Sequence, residues 1–246
     1  MRNILIGVLT PSSNTSLEPL TCAMVSNMAE VSIHYARFSV TEISLETVAL
    51  NQFNETSILE AAKLLADAHV DVIAWNGTSS GWLGFESDVN LCESIIKVTG
   101  IPACTSVLAL NEIMKISGCH KFGLVSPYLD NVQKEIIRNY ASIGIECVAE
   151  QHLNKHMNFE FCQVTEIQLH DMVEIVSKSQ PDCISTFCTN LKAAQLVHSF
   201  ESEFGIPVYD TVSTAMWKAL QICGVDTRRV TGWGSLFSEV YNDSYL

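Results

Sequence analysis

Short runs of apolar residues alternate along this chain with longer stretches of helical period, the pattern of a parallel α/β fold. Residues 3–9 (NILIGVL), 31–38 (VSIHYARF), 71–75 (DVIAW), 121–126 (KFGLVS), 144–149 and 182–187 read as strands. Between them, residues 55–69 (ETSILEAAKLLADAH) put Ile58, Leu59, Ala62, Leu65 and Ala68 on one stripe of a helix. Residues 130–142 (DNVQKEIIRNYAS) do the same with Val132, Ile136, Ile137 and Tyr140, and Asp130 is the expected N-cap.

The pattern also repeats. TGIPACTSVLALNEIM (99–114) parallels FGIPVYDTVSTAMWKAL (204–220), each with Gly-Ile-Pro, a short strand and a helix start. DVIAWNGTS parallels DCISTFCTN, and ILIGVLTPS parallels KFGLVSPYL. The offsets are 105 (Gly100 to Gly205), 111 (Gly77 to Cys188) and 116 (Thr10 to Ser126), close enough for one unit duplicated with loop changes. The expected architecture is therefore two similar Rossmann-like α/β lobes with parallel sheets, related by a pseudo-twofold axis. Residues 1–115 form the first lobe, completed by 211–246, and 116–210 form the second. Ligands of open parallel sheets sit beyond the carboxyl ends of the strands. The motifs PSSN, GTS, SPY and CTN all follow predicted strands, so the interlobe cleft is the expected site.

Composition narrows the function. With 246 residues, nearly half of them apolar, the chain can bury a large core. Its opening apolar run is too brief for a signal core, and no stretch reaches the roughly 20 residues that span a bilayer. Nine cysteines in no compact spacing argue for free thiols in a reducing compartment, and hence for the cytoplasm. A net charge of −13 opposes nucleic acid and anionic membranes. An anionic ligand would need local neutral donors. No Gly-rich nucleotide motif is present, and His152 and His156 lack a carboxylate to complete a metal set, so neither cofactor nor metal is expected. Apolar faces on such lobes often pair, which leaves a homo-oligomer open.

Cys188 carries the sharpest expectation. It sits where a strand hands over to a predicted helix, with Thr189 and Asn190 following; there the helix dipole and free N–H groups would lower the thiol pKa. It occupies the place that Gly77 holds in the first lobe. Gly77, Thr78 and Ser79 offer close backbone approach, hydroxyls and N–H groups, a cradle for a carboxylate or oxyanion that equally suits a helix cap. Pro11, Ser12 and Asn14, in PSSNT, offer a similar set, and Tyr128 can donate a hydrogen bond across the cleft. Trp75 and Trp82 could wall a pocket or simply pack. The loop 38–56 could line an apolar pocket but carries no readable code.

Two like lobes with a strand-end PSSNT, a first-lobe GTS and a second-lobe CTN resemble the aspartate/glutamate racemase superfamily, within it the maleate cis-trans isomerase and arylmalonate decarboxylase branch. Members usually set one cysteine per lobe on either side of a carbon beside a carboxylate. Here the first-lobe position is Gly77, the arrangement of arylmalonate decarboxylases. That resemblance implies a cofactor-independent lyase acting on a small malonate-like dicarboxylate. Thr78, Ser79 and Tyr128 would grip one carboxylate, and Cys188 would protonate an enediolate after the other leaves as CO₂. Asn14 and Asn158 instead match substrate-binding asparagines of the isomerase branch. The alternatives are thus an isomerase or racemase in which Cys188 has another partner, and a carboxylate-binding sensor.

Overall fold

The apolar runs become strands, the central ones buried on both faces, and the amphipathic stretches become helices laid over them. The computed structural model describes residues 2–240. Strands β1 (Ile4–Pro11), β2 (Val31–Phe38), β3 (Val72–Trp75) and β4 (Ala103–Thr105) form one parallel sheet in the order β2-β1-β3-β4. Strands β5 (Lys121–Ser126), β6 (Glu146–His152), β7 (Cys183–Thr186) and β8 (Val208–Asp210) form a second, in the order β6-β5-β7-β8. The two sheets have the same order and the same parallel sense, as the internal repeat requires.

Helices α1 (Leu17–Met24), α2 (Glu55–Asp67), α3 (Glu86–Thr99) and α4 (Ser106–Ile116) belong to the first sheet. Helices α5 (Asp130–Ser142), α6 (Glu166–Ser177), α7 (Val197–Phe204) and α8 (Thr211–Ile222) follow in the second half. The repeated Gly-Ile-Pro has a local cause. Gly100 and Gly205 end α3 and α7 in the left-handed conformation, with φ of 72° and 67°, which costs a glycine little. Proline then sends the chain into β4 or β8. The helices that follow are capped alike: Thr105 accepts from the N–H of Leu108, and Asp210 from that of Val212.

Helix α8 crosses back to the first half. The Thr214 hydroxyl donates to the carbonyl of Ser106 at 2.8 Å, and Lys218 pairs with Glu112 at 2.6 Å. Residues 241–246, which complete the stretch expected to close the first lobe, lie outside the described residues.

Three local expectations need correction. Asp130 is the first residue of α5 rather than its cap; Leu129 holds that position and no side chain caps the helix. Strand β6 runs to His152, later than the apolar pattern suggested, because it is a half-exposed edge strand with polar alternate positions. No regular helix starts at Cys188. The chain turns through 189–193 into a 3₁₀ turn, Ala194–Leu196, before α7. No described helix is long and apolar enough to cross a membrane.

Candidate active site

Strands β3 and β7 end at equivalent points, Trp75 and Thr186, and two residues beyond each stand Gly77 and Cys188. Between these strand ends lies a cavity of about 20 Å³, walled by Pro11, Trp75, Gly77, Thr78, Ser79, Trp82, Tyr128, Asn158, Cys188 and Thr189. Val40, Ile43 and Phe53, from the loop that the sequence left unread, close its apolar side.

Cys188 is 2% exposed. Burial pushes its thiol up to about 12, the charge of Asp210 adds to this, and hydrogen bonds from Tyr128 and the N–H groups of Asn190 and Leu191 pull the other way. The expected low pKa is therefore reversed: no helix dipole acts on the sulfur, and desolvation dominates. At neutral pH the group is a thiol, a proton donor. A thiolate, once formed, would still find three donors around it.

Tyr128 ties the two halves of the cavity together. Its hydroxyl is 2.7 Å from that of Thr78 and hydrogen-bonded to Cys188, and burial raises its pKa well above the ordinary phenol value, so it stays neutral. Its ring is wedged edge-on between Trp82 and Phe161, with centroids 5.3 and 5.6 Å away. Behind it, Ser126 donates to Gln133 at 2.6 Å, and Gln133 donates to Glu150. The hydroxyl of Ser79 and the backbone N–H groups of Thr78, Ser79 and Thr189 have no acceptor among the described residues. Thr78, Ser79, Tyr128 and Thr189 line one cavity, and neutral donors gathered there suit a carboxylate or developing oxyanion in a chain of net negative charge.

Three of the residues picked from the sequence do not line the cavity. Asn14 spends its side-chain oxygen on the N–H groups of Ser16 and Leu17 at the start of α1, and its amide donates to Thr189 at 3.2 Å. Asn190 accepts from the N–H groups of Thr15 and Ser16 and donates to the carbonyl of Asn158 at 2.6 Å. Ser12 accepts from the N–H of Val40 and is largely exposed. Asn14 and Asn190 thus fasten one lobe to the other. Asn158 reaches the cavity and donates to Ser13 at 2.8 Å.

Two buried carboxyls lie behind the strand ends. Burial raises Asp88 to about 6, despite the hydroxyls of Thr105 and Ser80, and raises Asp210 to about 7, despite Thr186 and two backbone N–H groups. Each binds its proton more tightly folded than unfolded, where both would titrate near 3.8. The stability they permit is therefore fullest below about pH 4 and is lost as pH rises toward 7, by about 3 kcal/mol for a group such as Asp88. Asp88→Asn is expected to flatten the fall in melting temperature between pH 5 and 8; an unchanged slope would show that Asp88 is already ionised at pH 5.

Two matching parallel lobes thus bring one buried thiol and a set of neutral donors to a shared cavity. The chain belongs to the arylmalonate decarboxylase family, whose profile matches residues 15–237. It is 25% identical over 249 residues to a maleate isomerase of Geobacillus stearothermophilus, covering 96% of this chain and 98% of the relative. It is 23% identical to an arylmalonate decarboxylase of Bordetella bronchiseptica over 186 residues, 74% of this chain and 78% of that protein. Among solved structures, a cysteine-to-serine mutant of the Nocardia farcinica maleate cis-trans isomerase, with a covalently bound succinylcysteine intermediate, superposes with a TM-score of 0.88 at 22% identity, covering 95% and 98% of the two chains. A liganded double mutant of arylmalonate decarboxylase gives 0.85 at 18%, covering 96% and 99%.

Proposed function

We propose that this protein is a cofactor-independent lyase that decarboxylates a small malonate-like acid, with Cys188 as the proton donor. The observation that carries the reading is a single buried thiol facing a glycine. Chemistry by two cysteines needs a sulfur on each lobe, and position 77 has no side chain. A Cβ there would stand 2.1 Å from the Trp75 ring, so the wall itself closes that place.

In the proposed reaction the retained carboxylate takes hydrogen bonds from Thr78, Ser79 and Tyr128. The other carboxylate lies against Val40, Ile43 and Phe53, where it loses its hydration. The bond from the α-carbon to that carboxylate breaks, CO₂ leaves, and the electron pair moves into the retained group as an enediolate. The Cys188 S–H gives its proton to the α-carbon. The thiolate, held by Tyr128 and the N–H groups of Asn190 and Leu191, regains a proton from water.

A second reading is cis-trans isomerisation, the reaction named for the Geobacillus relative, and of the two asparagines that pointed to it Asn158 lines the cavity while Asn14 does not. It requires a nucleophile, and a thiol raised to about 12 is a poor one. Turnover of α-substituted malonates in D₂O separates the two. The lyase is expected to release CO₂ and to place one deuterium on a single face of the α-carbon. Conversion of maleate to fumarate without CO₂ release would replace the lyase by the isomerase.

A further inference from the structure

The cavity wall holds two donors that this chemistry leaves unused. Trp75, the last residue of β3, and Trp82, in the helical turn Ser80–Leu83, both line the cavity and are 1% and 5% exposed. Neither indole N–H has a hydrogen-bond partner among the described residues. Trp217, fully buried but away from the cavity, donates its N–H to the carbonyl of Val240 at 3.2 Å. The unpaired indoles are thus those of the cavity wall.

Packing alone does not account for them. The Trp75 and Phe38 rings lie tilted with centroids 5.1 Å apart, and Trp82 meets Phe53 and Tyr128 edge-on at 5.9 and 5.3 Å. Phenylalanine would make such ring contacts without burying an unpaired donor, an arrangement native proteins rarely keep without a use. An indole N–H only donates, so its partner is an acceptor.

We infer that Trp75 and Trp82 are specificity-determining residues that read an oxygen acceptor carried on the α-carbon of the substrate. The substrate class is then an acid with a hydroxyl, ether or carbonyl substituent, rather than an aryl- or alkylmalonate whose substituent carries no acceptor. This rests on the reading of Cys188 and its cradle as the reaction site. A ligand without the acceptor leaves both donors unpaired and binds more weakly.

Calorimetric titration with hydroxymalonate, methylmalonate and phenylmalonate tests this, together with the indole N–H resonances of the wild-type protein. Hydroxymalonate is expected to bind about tenfold more tightly than methylmalonate, the gain of one donor–acceptor pair, and more tightly than phenylmalonate, whose substituent likewise carries no acceptor. The Trp75 and Trp82 N–H resonances are expected to move with hydroxymalonate and to stay in place with methylmalonate. Trp82→Phe should shrink the hydroxyl preference to less than about twofold; if that variant does not fold, the wild-type resonances decide. Equal affinity for hydroxymalonate and methylmalonate, tightest binding by phenylmalonate, stationary indole resonances, or binding of none of the three overturns the inference. Binding is read without turnover. Hydroxymalonate that binds and shifts the indoles but is not decarboxylated removes the lyase alone. Decarboxylation of methylmalonate with no hydroxyl preference removes this inference alone.

Discussion

Replacement of Cys188 by serine is expected to lower the rate of CO₂ release by about 10²–10⁴-fold with KM nearly unchanged, the range for loss of a positioned general acid. A serine hydroxyl is a far weaker acid than a thiol, yet it keeps the size of the residue and can take the same N–H bonds from Asn190 and Leu191. The loss should therefore fall on the proton-transfer step rather than on binding, which the hydroxyls of Thr78 and Tyr128 govern. Since the thiol is raised to about 12, wild-type activity should show no fall due to thiol ionisation up to about pH 9, and alkylation by iodoacetamide at pH 7.5 should be slow. Rapid alkylation, or a serine variant within tenfold of wild type, would remove Cys188 from the role of acid.

A comparably large effect, on stability, is expected at Gly77. Its added Cβ would lie 2.1–2.5 Å from three atoms of the Trp75 indole, a buried, rigid ring that cannot swing aside. Gly77→Ala should cost about 3 kcal/mol, the upper part of the usual overpacking range, and lower the melting temperature by roughly 6–12 °C for a chain of this size. Gly77→Cys, which restores the second thiol of the superfamily pattern, should suffer at least as much. Pairing either change with Trp75→Leu should recover most of the loss. A stable Gly77→Ala protein with intact Trp75 would mean that the strand end yields more easily than its packing indicates.

The fold was legible because its signals are local. Strands β1, β3, β5 and β7 are central, buried on both faces, and therefore nearly uninterrupted in apolar residues. Gly100 and Gly205 stood out because a left-handed helix end selects glycine. The edge strand β6 was less clear, since half of it faces water and its composition resembles a loop. At the site, the equivalence of Gly77 and Cys188 came from the repeat. The protonation state of Cys188 did not, because desolvation depends on everything packed around the sulfur, and the helix expected to begin there starts later as a 3₁₀ turn. Asn14 and Asn190 carried polar groups at the right strand ends, yet which neighbour an amide bonds is a tertiary fact. Trp75 lies two residues from Gly77, and only the folded chain reveals that its ring occupies the space beside that glycine.

The amide of Asn190 pins Thr15 and Ser16 of one half while holding Asn158 of the other. The two bonds that cross between the halves join neutral groups, so added salt has no charge to screen in them, and drawing the halves apart at this point would have to break both.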